Sequence, residues 1–220
     1  MTRFVIAVIF SIAFAYIESA VVVYLRVIFH PDGFIFPLSN VDTILQHKAL
    51  LLTEIGREAA TMVLILTFAW LSGRNLQQRF AYFLTIFAVW DIFYYVWLKV
   101  FSAGLQAIPD WPVSIMDWDI LFLIPITWAS PVLAPVLSSI VMLVFAMIIL
   151  YRDCCGKPIK AGRIEWIGFI AAAVIVVISF CLPGPHIAEP NYQSYFYWPV
   201  FVAGLLAAIA LFVRCMLKSK

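Results

Sequence analysis

Six stretches of this 220-residue chain run for about twenty residues or more with few polar breaks, the length needed to cross a hydrocarbon layer about 30 Å thick. They extend roughly from Phe4 to Phe29, Leu45 to Leu71, Phe80 to Phe101, Ile120 to Leu150, Trp166 to Leu182 and Phe196 to Val213. In lipid every backbone polar group must be bonded within the protein, so a span is a helix or a strand of a closed barrel. Barrel strands alternate in polarity every second residue, and these runs do not, so the fold class predicted is all-α and polytopic. The whole chain then forms one transmembrane domain.

Composition excludes the other classes. With 65% hydrophobic and 12% charged residues and a mean hydropathy of +1.03, the chain lies outside the soluble norm and is the opposite of a disordered one. Fourteen Lys and Arg against twelve Asp and Glu leave no surplus with which to neutralise nucleic-acid phosphates, so the partner expected is the lipid bilayer. A homo-oligomer and a subunit of a larger membrane complex both stay open. The first run has a charged start and a small-residue Ala13-Phe14-Ala15 stretch resembling a signal peptide, yet its apolar length continues to Phe29, which favours a retained span.

Positive residues set orientation, because they stay on the cytoplasmic side of short loops. Arg3, Arg74, Arg79, Arg152, Lys157, Lys160, Arg163, Arg214, Lys218 and Lys220 all fall at one end of an alternating six-span arrangement. The opposite loops contain no Lys or Arg and carry Asp32, Asp42, Asp110, Asp117, Asp119 and Glu189. Both termini are therefore expected in the cytoplasm and the protein in the plasma membrane. Cys154, Cys155 and Cys215 then lie on the cytoplasmic side and Cys181 near the outside, which leaves no external pair for a disulfide.

Ionisable residues inside spans are the informative ones, since each costs on the order of 2.5 to 3.5 kcal/mol at the bilayer centre. At 1.5 Å per residue, Glu18 lies about 21 Å, Glu58 about 20 Å, Glu54 about 26 Å and Asp91 about 16 Å from the inner edge. All fall between the midplane and the outer surface. In the second span His47, Leu51, Glu54, Glu58 and Thr61 share one helical face with Arg57 beside it, a polar stripe that gives way inward to Leu64, Ile65 and Phe68. In the third, Asp91, Tyr94, Tyr95 and Lys99 overlap, and a tyrosine can donate to the buried carboxylate. The fourth run is too long for one span and contains Pro125, Pro131 and Pro135, so its first part is expected to be an outer interfacial or re-entrant piece that brings Asp117 and Asp119 over the cluster. Arg26 and Lys99 are expected to reach toward the interface, leaving Arg57 as the fixed positive charge among the acids.

Glu18, Glu54, Glu58 and Asp91, with Asp117 and Asp119, make six acids against three cations, and ionised carboxylates do not persist unpaired in low dielectric. Some must be protonated, hydrated or bound to a cation. This points to a carboxylate-rich cavity in the outer half that binds or translocates protons, cations or a small polar ligand, alone or within a complex. The alternative is a membrane-embedded enzyme using the same acids, with or without a divalent metal, on a lipid-linked or headgroup substrate at the outer leaflet. Glu54, Glu58 and His47 are weak metal-ligand candidates. No haem, nucleotide or zinc motif occurs, and no nucleophile elbow.

Overall fold

The computed structural model describes residues 2–30, 33–38, 48–105, 114–123 and 126–219. It is mostly helical. The elements in chain order are α1 (Thr2–Phe29), α2 (Lys48–Ser72), α3 (Leu76–Leu105), strands β1 (Trp118–Phe122) and β2 (Trp128–Pro131), α4 (Leu133–Cys154), α5 (Arg163–Cys181) and α6 (Trp198–Lys218), with two 3₁₀ turns, Gly184–His186 and Tyr192–Tyr195, between α5 and α6. Five helices, α1, α3, α4, α5 and α6, are long and apolar enough to cross a membrane. Large apolar side chains such as Ile9, Tyr24, Leu71, Ile164 and Leu206 point outward, a surface that suits lipid and not water. The protein is membrane-embedded.

The helix bounds follow from local chemistry. α1 runs for 28 residues with no glycine or proline. Its Ser11 and Ser19 hydroxyls donate to the Ala7 and Ala15 carbonyls at 2.7 Å, which satisfies them without breaking the helix. The most buried helix is α3, which packs against α1, α2 and α4. α5 and α6 form a second packed pair, joined to the rest through α4 and β2. Gly204 of α6 is what lets that pair close, since a Cβ there would come within 3.1 Å of the Ala172 carbonyl oxygen and closer still to Val176 and Ile175. The small-residue spacing of α6 serves this contact through Gly204, whereas Ala203 is exposed.

Hydrogen bonds between connections bring the helix ends into register. Arg3 donates to the Ser72 carbonyl at 3.0 Å, Gln78 to Asp153 at 2.6 Å, Gln77 to the Ile159 carbonyl at 2.8 Å, and the Lys160 amide to Ser219 Oγ at 2.9 Å. The start of α1, the α2–α3 turn, the α4–α5 turn and the end of α6 therefore share one end of the bundle, and both termini lie there. Except for Lys220, which falls outside the described residues, the basic residues grouped above are all at or next to this end. Here Lys218 and Arg214 also meet Glu165 in the first turn of α5. The half of the bundle nearest this end is filled by apolar side chains, Phe10, Phe14, Ile65, Phe68, Tyr82 and Ile86 in one cluster and Leu84, Ala146, Ile149 and Phe212 in another.

At the other end the expected re-entrant piece is a β-hairpin. β1 and β2 pair antiparallel with Trp118 opposite Pro131, Asp119 opposite Ser130 and Ile120 opposite Ala129, followed by an irregular step to Phe122 opposite Trp128. The all-α expectation is thus corrected by one small element. Its physical basis is that prolines forbid a helix, while two paired strands satisfy one another's amides inside the protein. Side chains alternate across the hairpin. Trp118 enters an aromatic cluster with Phe36, Tyr192 and Phe196, while its neighbour Asp119 is fully buried against α1 and α3. The remaining part of the fourth run, Leu133–Cys154, is a single helix of 22 residues.

The hairpin is seated directly on backbone. A Cβ at Gly184 would meet the Thr127 carbonyl oxygen at 1.9 Å, a contact no side chain can yield to. Gly184→Ala should therefore lift the Thr127 loop and lower stability by about 1 to 3 kcal/mol, the usual cost of overpacking. Thermal unfolding in detergent checks this, and an unchanged melting temperature would mean that the loop does not rest on Gly184.

Candidate functional site

Above the apolar half, α1, α2, α3, the hairpin and α4 enclose a cavity of about 190 Å³. Glu18, Glu54, Arg57, Glu58 and Asp91 all line it, so five of the residues singled out in the sequence meet in one place. His47 lies outside the described residues, as do Asp32, Asp42, Asp110, Trp111 and Pro125.

Arg57 is the hub. Its guanidinium forms ion pairs with Glu54 of its own helix and with Glu18 of α1, and its Nε donates to Glu54 Oε2 at 2.7 Å. Three residues along a helix is the spacing that lets Arg57 fold back on Glu54. The planar fork then has donors left for the neighbouring helix, which a lysine could not place in the same way. Thr61, one turn further along α2, donates to Glu18 Oε2 at 3.3 Å. The stripe of α2 thus grips α1.

Arg26 is the second hub, and here the expectation that it reaches the interface is overturned. It is only 6% exposed, pairs with Asp119 of β1, and lies over the Phe34 ring at 3.9 Å. Tyr94 donates to the other oxygen of Asp119 at 3.4 Å, so this tyrosine serves Asp119 and not Asp91. Burial, with the Arg26 guanidinium beside it, holds the His30 imidazole below its ordinary range, which leaves it neutral near pH 7. Lys99 is exposed and is not among the residues lining the cavity. Asp117 is also away from the cavity: its carboxylate accepts the Ser114 amide at 2.8 Å and shapes the turn that opens the hairpin.

Glu58 and Asp91 differ from the other acids. Among the described residues neither forms an ion pair. Both oxygens of Glu58 lie 3.0 Å from the Leu123 amide, at the end of β1 where the ladder leaves that N–H unpaired. Glu58 is therefore a latch between α2 and the hairpin. Asp91 accepts one bond, from Ser139 of α4 to Oδ2 at 2.8 Å. Ser139 and the Leu123 amide are partners that sequence reasoning missed. The first had a signal, since Ser138 and Ser139 interrupt an otherwise apolar run, whereas a backbone donor in a hairpin had none.

The wall between these groups is aromatic, with Phe87, Trp90, Tyr94 and Tyr95 from α3 and Phe122 and Trp128 from the hairpin. Among the described residues no three His, Cys, Asp or Glu side chains are grouped so as to hold a metal ion. Comparison with protein-family models, with curated proteins and with solved structures finds no match.

Two variants test the two kinds of partner. Arg57→Leu strands Glu18 and Glu54 without their countercharge and should cost about 3 to 5 kcal/mol in chemical denaturation, with part regained on adding Glu18→Gln. An Arg57→Leu protein as stable as the wild type would show that the fork carries no weight in the fold. Glu58→Leu leaves the buried Leu123 amide unsatisfied, at about 1 to 3 kcal/mol, whereas Glu58→Gln keeps an acceptor and should fold normally. Hydrogen exchange at the Leu123 amide should speed up in the first variant and stay slow in the second.

Proposed function

We propose that this chain is a six-span integral membrane protein of the plasma membrane with both termini cytoplasmic, and that its cavity, in the outer half of the bilayer, accepts a positive charge, either a proton or the cationic group of a small polar ligand. α2 is the sixth span in this reading. Its 25 residues suffice to cross, and it runs between α1 and α3, which are long and apolar enough to span. The grouping of basic residues at the end that holds both termini supports the orientation.

One observation carries the functional reading. Asp91 and Glu58 line the cavity and have no ion pair among the described residues, while both arginines of the site are committed to other acids. Among the described residues, the cations that Glu18, Glu54, Glu58, Asp91 and Asp119 face are Arg26 and Arg57, with His30 neutral. Buried carboxylates in excess of their cations call for a further positive charge. The apolar packing below the cavity supports binding or relay within a larger membrane complex better than an open pore.

Orientation and charge are tested separately. Cys154 and Cys155 are exposed, so a membrane-impermeant maleimide should leave them unlabelled in intact cells and label them once the membrane is opened. Labelling without permeabilisation reverses the orientation. For the site, the melting temperatures of the wild type and Asp91→Asn should diverge as pH or cation concentration is varied, because the amide keeps the shape of a neutral carboxyl and cannot carry charge. Parallel curves under every condition would remove the positive-charge reading.

A further inference from the structure

Resting on that reading, we infer that the cation is a protonated organic amine bearing a small apolar body and an oxygen acceptor, with Asp91 as the residue that takes its ammonium group.

The other carboxylates of the cavity are engaged. Arg57 holds Glu18 and Glu54, and Leu123 holds both oxygens of Glu58. Asp91 is different because only Oδ2 has a hydrogen bond among the described residues. It sits in the most buried helix yet keeps some accessible surface, and the cavity it lines is where that surface opens. A carboxylate that lines a cavity with one oxygen lacking a hydrogen bond among the described residues is the complement of an N–H⁺ donor.

The surroundings choose between kinds of cation. A hard metal ion is held by several carboxylates and other oxygens, and among the described residues Asp91 belongs to no group of three His, Cys, Asp or Glu side chains placed to hold one. The rings of Phe87, Trp90, Tyr94 and Tyr95 line the same space, together with Phe122 and Trp128 of the hairpin. Aromatic faces attract organic ammonium ions and pack against their carbon atoms. The volume also fits. About 190 Å³ is the space of roughly six waters at about 30 Å³ each, far more than a bare ion fills and enough for a small organic molecule.

A separate observation points to the oxygen. Trp90 is 5% exposed and lines this cavity, and its indole N–H, like that of Trp128, is buried with no hydrogen-bond partner among the described residues. Buried donors are nearly always satisfied, and indole can only donate. A hydroxyl, ether or carbonyl oxygen on the ligand would complete it. An amine with a nearby oxygen describes both free amino alcohols and the ethanolamine headgroup of a lipid, and either source presents the same chemistry.

The test uses the purified full chain in nanodiscs of phosphatidylcholine, with melting temperature and calorimetry as readouts. Phenoxyethylamine should bind saturably and raise the melting temperature, while phenoxyethanol, matched in shape but neutral, should not. Asp91→Asn should weaken phenoxyethylamine by about thirtyfold or more, as for loss of one partner of a buried charge pair. Trp90→Phe keeps the ring and removes the donor, so it should weaken phenoxyethylamine and leave phenethylamine unchanged. If phosphatidylethanolamine in the nanodisc itself raises the melting temperature and competes with phenoxyethylamine, the source is the lipid; if lipid composition has no effect, the source is a free amine. Equal binding of the neutral alcohol overturns the inference on the wild type alone, even should a variant fail to fold. An Asp91-dependent response to protons, sodium or magnesium with none to the amine also overturns it, while leaving the positive-charge reading intact. No Asp91-dependent response to any of these removes both.

Discussion

Two arginines hold buried carboxylates from separate segments in fixed places, and the cavity exists because they do. Arg57 ties α2 to α1 through Glu18, and Arg26 ties α1 to the hairpin through Asp119. In a low dielectric each pair is costly to assemble and more costly to break, because the surviving charge has neither water nor partner. The geometry is consequently rigid where the charges are. It also leaves two carboxylates over, which is what makes the space between the helices chemically distinct from a packing defect.

The hairpin closes that space and depends on the same rule applied to backbone. Irregular chain at membrane depth survives only where its amides and carbonyls are bonded inside protein. The strands bond each other, the amides of Val132 and Leu133 return to the carbonyls of Asp117 and Ile115, and the Leu123 amide is taken by Glu58. Glycine at position 184 allows the Thr127 carbonyl to come against the α5–α6 connection. Charge and backbone thus meet at Glu58, one acid whose task is structural although its neighbours in α2 belong to the charge network.

Much of this was legible beforehand because the membrane imposes a length and polarity rule on every segment. Each of the six apolar runs contains one helix, with ends that differ by a few residues where turns decide them, except that the first part of the fourth run is the hairpin and Leu45 to His47 lie outside the described residues. Helical periodicity placed Glu54, Arg57, Glu58 and Thr61 together, and that face does point at α1 and the hairpin. Arg26 was misread because its sequence position near a helix end allows extension to water as well as a turn inward. The buried carboxylate of Asp119, brought over α1 by the hairpin, selected the inward turn. Helical proximity suggested a tyrosine donor for Asp91, yet the Tyr94 hydroxyl donates to Asp119 across the fold.

The sequence alone determined that the chain is membrane-embedded, that the charges within its spans gather toward one end of the helices, and that acids outnumber bases there, because these follow from hydropathy, spacing and counting. Only the tertiary structure decided which acid of a distant segment each arginine neutralises, that prolines and aromatics of the fourth run make a hairpin, and that Asp91 lines the cavity with no ion pair among the described residues. The two ion pairs that join separate segments, Arg57 with Glu18 and Arg26 with Asp119, lie 39 and 93 positions apart, and no local pattern encodes which distant partner will arrive.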